Sequence, residues 1–135
     1  MVFELYAYQL LAFLAYFGTA IFITIAYLIL YMWVTPHNEI ALIKNNNNAA
    51  AIAAIGSLIG FSLPLATIIE QSGTVLDCVV WGSVAIVVQI FVFYLVRLPF
   101  PKISERIENS EIASGVWLGG ASLLGGIINA SCMTG

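Results

Sequence analysis

The stretch NNNNAAAIAAIGSLIGFSLPLA, Asn45 to Ala66, is the key to the architecture. Four amides, Asn45 to Asn48, end abruptly, and the residues after them are uncharged, rich in Ala, Gly and Ser, and broken by Pro64. About twenty apolar residues suffice for a helix to cross a bilayer. The stretch therefore reads as a spanning helix entered from a polar loop, with Asn48 as its N-cap.

This span, expected over Ala49 to Ile69, carries Ala49, Ala53, Gly56 and Gly60 on one stripe, and Gly56 and Gly60 form a GxxxG pair. Small residues at that spacing let two helix backbones approach closely where lipid offers no hydrophobic drive. Pro64 removes one backbone donor and should kink the helix, leaving a carbonyl for Ser62 or a neighbouring helix to satisfy.

On either side of it three more spans are expected: roughly Gln9 to Val34, Thr74 to Leu98 and Glu111 to Met133. A short outer tail precedes the first, and Tyr27, Tyr31 and Trp33 mark that span's inner end as an aromatic belt. Thr74 to Asp77 has capping-box spacing. The last span repeats the small-residue stripe at Gly115, Gly119, Ser122, Gly126 and Asn129. Between spans lie two short amphipathic segments, HNEIALIK and PKISERIENS. In the second, Ile103 and Ile107 share one face.

Composition agrees. The chain is 61% hydrophobic and 8% charged, with a mean hydropathy of +1.02, against about 25% charged in a soluble domain. A bilayer is the solvent such a chain needs, and an acidic, membrane-embedded chain excludes nucleic-acid binding. Lys44 sits in the first loop, and Arg97, Lys102 and Arg106 in or beside the second, whereas Glu4, Glu70 and Asp77 lie at the other ends of the spans. The positive-inside rule then places both loops in the cytoplasm and both termini outside.

A gapless shift of 65 residues puts Pro36 on Pro101 and Ser57-Leu58-x-Gly60 on Ser122-Leu123-x-Gly125. The order span, proline, amphipathic segment, Gly-rich span also recurs. The expected architecture is a single all-α membrane domain over 1–135, with four transmembrane helices in two tandem parallel hairpin repeats, about 6–70 and 71–135. Such hairpins commonly complete their packing by oligomerising.

Chemistry-bearing residues are few. Gln89, Ser57 and Asn129 are polar groups within spans. Gln89 and Asn129 each either line a polar path or make an interhelical hydrogen bond, the simpler reading, whereas the simpler reading of Ser57 is a bond back to its own helix carbonyl. His37 and Glu39 are two residues apart, but a metal site needs three or four ligands. His37, Glu39, Lys44, Asn48 and Arg106 are candidates for contact with a cytosolic partner. Cys78 and Cys132 both map to outer helix ends, where a disulfide is one alternative. No catalytic motif, cofactor motif or metal-ligand set is present, so no enzymatic activity and no cofactor are expected.

The segments TPHNEIALIKNNNNAAA, GSLIGFSLPL and GGIINASCMT together resemble the YjfL-like family of small bacterial inner-membrane proteins, a domain of unknown function (number 350 in its series). Pro36, Glu39, Asn48, Gly60, Pro64, Trp81, Gln89, Asn129 and Cys132 match the family pattern. The resemblance implies four helices built from two copies of a helix pair, a bacterial inner-membrane location and no catalytic residue to carry over. Members occur in gene clusters with an ATP-grasp enzyme and a phage-shock-type coat protein, which implies an envelope-stress or membrane-remodelling role. The leading expectation is an oligomeric scaffold or docking platform; the alternative is a small ion or solute channel or transporter.

Overall fold

A computed structural model describes residues 2–35, 39–100 and 102–133, with the Glu39 side chain outside the description. Six helices occur in the order α1 (Val2–Val34), α2 (Glu39–Lys44), α3 (Asn48–Gln71), α4 (Val75–Arg97), α5 (Ile103–Glu108) and α6 (Ile112–Met133). Among the described residues, α1, α3, α4 and α6 are long and apolar enough to cross a membrane. His37, Pro36 and Pro101 lie outside the described residues.

The first span differs from expectation at its start. Residues 2–10 are helix rather than a tail, since nothing in VFELYAYQL breaks a helix and Glu4 favours a first turn. The 33 residues of α1 extend to ~50 Å. Tyr16 donates its hydroxyl to the Ser72 carbonyl at 3.4 Å, level with the α3–α4 turn, and residues 2–11 stand exposed beyond it.

The α3–α4 turn is short and capped. The Thr74 hydroxyl accepts the Asp77 N–H at 3.1 Å, as the capping-box spacing predicts, and the Ser72 N–H closes the last turn of α3 on the Ile68 carbonyl.

At the opposite end α2 and α5 both pack against the start of α3, and both lead into the next span through the same turn. Asn46 (φ 63°) and Ser110 (φ 61°) occupy the left-handed region. Each is followed by an N–H that reaches back five residues, Asn47 to the Leu42 carbonyl and Glu111 to the Arg106 carbonyl. That is a Schellman ending, which a small polar residue tolerates. The two turns superpose at a shift of 64, one less than the shift that aligns the serines.

Two helix pairs run parallel. A Cβ built at Gly115 would meet Ala49 backbone, and one at Gly126 would meet Gly60 backbone, so the partners climb α3 and α6 together. On the other pair, Gly82 sits against Ile23 and Phe93 against Tyr31, which sets α1 alongside α4. The core divides by depth. Near the turn end it comprises Ile23, Tyr27, Phe61, Leu65, Ile68, Cys78 and Ala85. Near the short-helix end it comprises Tyr31, Phe93, Ile103, Ile107, Leu118 and four alanines of α3.

The aromatic belt expected on α1 is corrected here. Trp33 is 81% exposed, but Tyr27 and Tyr31 are each 1% exposed. They lie four residues apart on the face that meets α3 and α4. Tyr27 stacks on Phe61 at 4.4 Å between centroids, and Tyr31 meets Phe93 edge-on at 5.6 Å.

Candidate functional site

The α3–α6 seam is closed backbone to backbone. A Cβ at Gly56 would come within 2.5 Å of Gly119 Cα and carbonyl oxygen, and one at Gly60 within 2.5 Å of the Ser122 carbonyl oxygen. Gly115 and Gly119 are equally confined by the backbone of Ala49 and of Ile52, while Gly126 abuts the Gly60 carbonyl. That carbonyl is the one Pro64 frees, because proline has no N–H to offer it. Ser62 instead donates to the Ile59 carbonyl at 2.7 Å. The Gly60 oxygen faces Gly126 across the seam, where a Cα–H contact suits it. α3 runs continuously through Pro64.

Beside the seam, polar groups from all four spans converge. Gln89 is 1% and Ser57 1% exposed, Ser122 3% and Asn129 7%. The Gln89 amide donates to the Ser122 carbonyl at 3.4 Å, a long bond and therefore a weak one. The Tyr27 hydroxyl is directed at both the Ser57 and Gln89 side chains. Ser57 Oγ, Gln89 Oε1 and Asn129 Nδ2 nonetheless have no well-formed hydrogen bond within the protein. Buried polar atoms in that state cost free energy, so the node is a place where the bundle holds polarity it does not fully use. Its members are hydroxyls and amides, which carry no charge near neutral pH.

At the short-helix end one side chain joins α3 to α5. Asn47, rather than Asn48, caps α3: its Oδ1 accepts the Ala50 N–H at 3.0 Å. Its amide nitrogen donates to the Ile107 carbonyl at 2.8 Å and the Glu108 carbonyl at 3.3 Å. One buried amide thus satisfies the start of a span and ties it to α5. The correction has a simple cause. α2 needs two residues to turn, Asn45 and Asn46, so the cap falls on the third asparagine and Asn48 becomes the first helical residue.

Around this clamp, Lys44, Lys102 and Arg106 are exposed. Arg106 lies 5.8 Å over the Phe100 ring and Arg97 5.3 Å over Phe93. All four basic residues thus sit at or beside the short-helix end. Glu39 opens α2. Trp117 donates to the Val96 carbonyl at 3.1 Å.

The cysteines are free thiols: Cys78 is buried and Cys132 exposed. Among the described residues no three His, Cys, Asp or Glu side chains could hold a metal ion.

Sequence reasoning missed Tyr27 and Asn47. The signal for Tyr27 was its place four residues after Ile23 and four before Tyr31, a stripe that continues into a buried face. For Asn47 it was the length of turn that α2 requires.

The family model for the Domain of Unknown Function (DUF350) matches residues 5–133. The chain is 46% identical over 126 residues to the UPF0719 inner membrane protein YjfL of Escherichia coli (strain K12), covering 93% of this chain and 96% of that protein. It is 26% identical over 109 residues to the UPF0719 transmembrane protein YshE of Bacillus subtilis (strain 168), covering 79% and 81%. No solved structure matches the chain.

Proposed function

The chain belongs to the DUF350 family, and on that footing we propose that it is a non-enzymatic, oligomeric scaffold of the bacterial inner membrane with a docking platform on its cytoplasmic face. The observation that carries this reading is the bare side of the α3–α6 seam. There a groove of about 440 Å³ is lined by Ile52, Ile55, Gly56, Val116, Gly120 and Leu123, apolar throughout. Gly120 is exposed on its floor, with nothing within 4 Å of a Cβ placed there. A small residue at the centre of an apolar furrow suits the ridge of another helix, and a second copy meeting it about a two-fold axis is the commonest closed arrangement.

The rest of the molecule fits. The succession α1–α2–α3 and α4–α5–α6, the matching Schellman turns and the nearly constant register of the seam support two repeats about a pseudo-two-fold between α3 and α6. All four basic residues at the short-helix end support a cytoplasmic position for α2 and α5, with both termini outside. The Asn47 clamp would make those two helices a firm surface, presenting Lys44, Asn48 and Arg106 to a soluble partner. The gene-cluster context of the resembling family supports an envelope-stress or membrane-remodelling setting.

The test is oxidative cross-linking in native membranes of a Gly120→Cys variant made in a Cys132→Ser background. A disulfide-linked dimer is expected, and it should be lost when Leu123→Trp is added. A monomer under all oxidising conditions overturns the oligomer. The docking platform fails separately if Arg106→Ala and Glu39→Ala leave partner recruitment unchanged.

A second reading, a channel or transporter, is favoured by the under-satisfied node at Ser57 and Gln89. The seam leaves no room for a file of water between α3 and α6, so a path would run on the α1–α4 side. Flux into liposomes that Gln89→Leu abolishes would support it; absence of flux from purified wild-type protein would not.

A further inference from the structure

The turn end of the bundle, remote from the groove and the clamp, holds a cavity of about 330 Å³ between the ends of α3, α4 and α6. Its walls include Thr67 and Gln71 from α3, Asp77 and Trp81 from α4 and Met133 from α6, with the buried Ile68 beneath. Asp77 and Trp81 are four residues apart on one helix, so carboxylate and indole share a face. The Asp77 carboxylate forms no ion pair among the described residues. Glu70 stands one residue before Gln71, and every Lys and Arg of the chain lies at the opposite end.

We propose that this cavity binds an organic ammonium group: a cationic nitrogen carrying a small apolar substituent. The carboxylate of Asp77 meets the charge. The Trp81 ring, 53% exposed, offers its negative face to the same cation. Thr67 already donates its hydroxyl proton to the Leu63 carbonyl at 3.3 Å, which leaves its lone pairs, with the Gln71 carbonyl, as acceptors for N–H. Ile68 and Met133 receive the apolar substituent. An anion would be repelled by Asp77 and Glu70, and a bare inorganic cation would make no use of the indole or the apolar floor. The positive end of α4 opposes any cation here, and the carboxylate in its first turn offsets that. The same chemistry is carried by an amine-bearing lipid headgroup and by a soluble amine. Nothing in this site depends on oligomerisation or on cytoplasmic docking.

Cys132 lines the cavity and is exposed, whereas Cys78 is buried, so alkylation of the native protein by N-ethylmaleimide reports on this one site. In phosphatidylglycerol nanodiscs, n-butylammonium should slow Cys132 alkylation severalfold, and the uncharged isostere 1-butanol should not. Asp77→Asn should raise the butylammonium concentration needed by about tenfold or more, the weight of a charge-assisted contact. Trp81→Leu should raise it as well, with the fold of both variants checked by the continued protection of Cys78. Nanodiscs containing phosphatidylethanolamine that slow alkylation without added amine would identify a lipid headgroup as the ligand; no such slowing, with butylammonium still protective, would identify a soluble amine. Equal protection by 1-butanol, or undiminished protection in Asp77→Asn, overturns the proposal, as does no protection by either amine source.

Discussion

Replacing Gly119 by alanine tests the closed seam at its most informative position, because its neighbour Gly120 supplies the control. A Cβ at Gly119 would lie 2.5 Å from the Ile52 carbonyl oxygen, 3.2 Å from its carbon and 3.3 Å from Ala53 Cα. These are backbone atoms of α3 and cannot rotate away. Relieving the clash requires the two helices to part locally by roughly 1 Å, a gap that forfeits a quarter to a half of each dispersion well it opens. Overpacking of this kind costs ~1–3 kcal/mol, and loss of close Cα–H to carbonyl contacts adds ~0.5–1 kcal/mol each. The expected destabilisation is therefore about 2–3 kcal/mol. Gly120→Ala meets nothing within 4 Å and removes a glycine from a helix interior, a change worth up to ~1 kcal/mol of stabilisation in water. Two adjacent, chemically identical substitutions should thus differ by about 3 kcal/mol, roughly a hundredfold in the folding equilibrium. The assay is denaturant titration in mixed micelles, dilute enough to keep the protein monomeric. A Cys132→Ser background leaves the buried Cys78 thiol as reporter of unfolding. Gly18→Ala, which also meets nothing within 4 Å, serves as a second control. Coincident midpoints for Gly119→Ala and Gly120→Ala would refute the idea that backbone contact at the seam organises the bundle.

Asn47→Ala should cost about 1–2 kcal/mol as a lost cap and speed amide exchange in α5. Asn47→Asp keeps the cap oxygen but sets a second acceptor against the Ile107 and Glu108 carbonyls, so exchange in α5 should rise at least as much, while Asn48→Ala should leave it unchanged. Gln89→Leu should alter stability in the same titration by no more than about 1 kcal/mol, since interhelical polar contacts in membranes average ~0.6 kcal/mol and its Oε1 has no partner to lose; a loss of several kcal/mol would mean the node is better bonded than its geometry indicates. Mass spectrometry after N-ethylmaleimide treatment should find Cys132 modified in the native protein and Cys78 modified only after denaturation, in keeping with their exposure.

The four spans were legible because hydropathy alone selects them, and the positions of the small residues were legible because their spacing matches one helix stripe. Spacing could not reveal which stripe meets which. The contact of Gly56 with Gly119 and of Gly60 with Gly126 depends on two helices from different halves running parallel, a tertiary fact. The start of α1 was misread because apolar residues near a terminus carry no marker separating tail from helix. The belt reading of Tyr27 and Tyr31 failed for a related reason. An aromatic near a helix end serves equally well at the lipid interface or in the core, and only the neighbouring helices decide. Asn47 took the cap from Asn48 because the length of the preceding turn fixes the cap, and identical amides cannot show where a turn closes.

The seam and the node together explain how so apolar a chain reaches a defined arrangement. Lipid is no worse a neighbour for leucine than protein is, so bulky apolar faces such as Phe13, Phe22 or Phe91 cannot choose partners by hydrophobicity. Choice requires something lipid cannot match. Gly56, Gly60, Gly119 and Gly126 supply it as shape, since acyl chains cannot press on a helix backbone as closely as another backbone can. Gln89, bonded to the Ser122 carbonyl, and Asn47, bonded to the Ile107 carbonyl, supply it as polarity, since lipid tails offer no hydrogen bonds. Both kinds of residue are concentrated on α3, α4 and α6. By contrast, α1 contributes Tyr27 and Tyr31 near one end and leaves its first ten described residues uncovered. The physical consequence is a graded molecule: a rigid pair, α3 and α6, with α4 fixed against it, and an outer helix whose upper turns are free to take whatever neighbour the membrane presents.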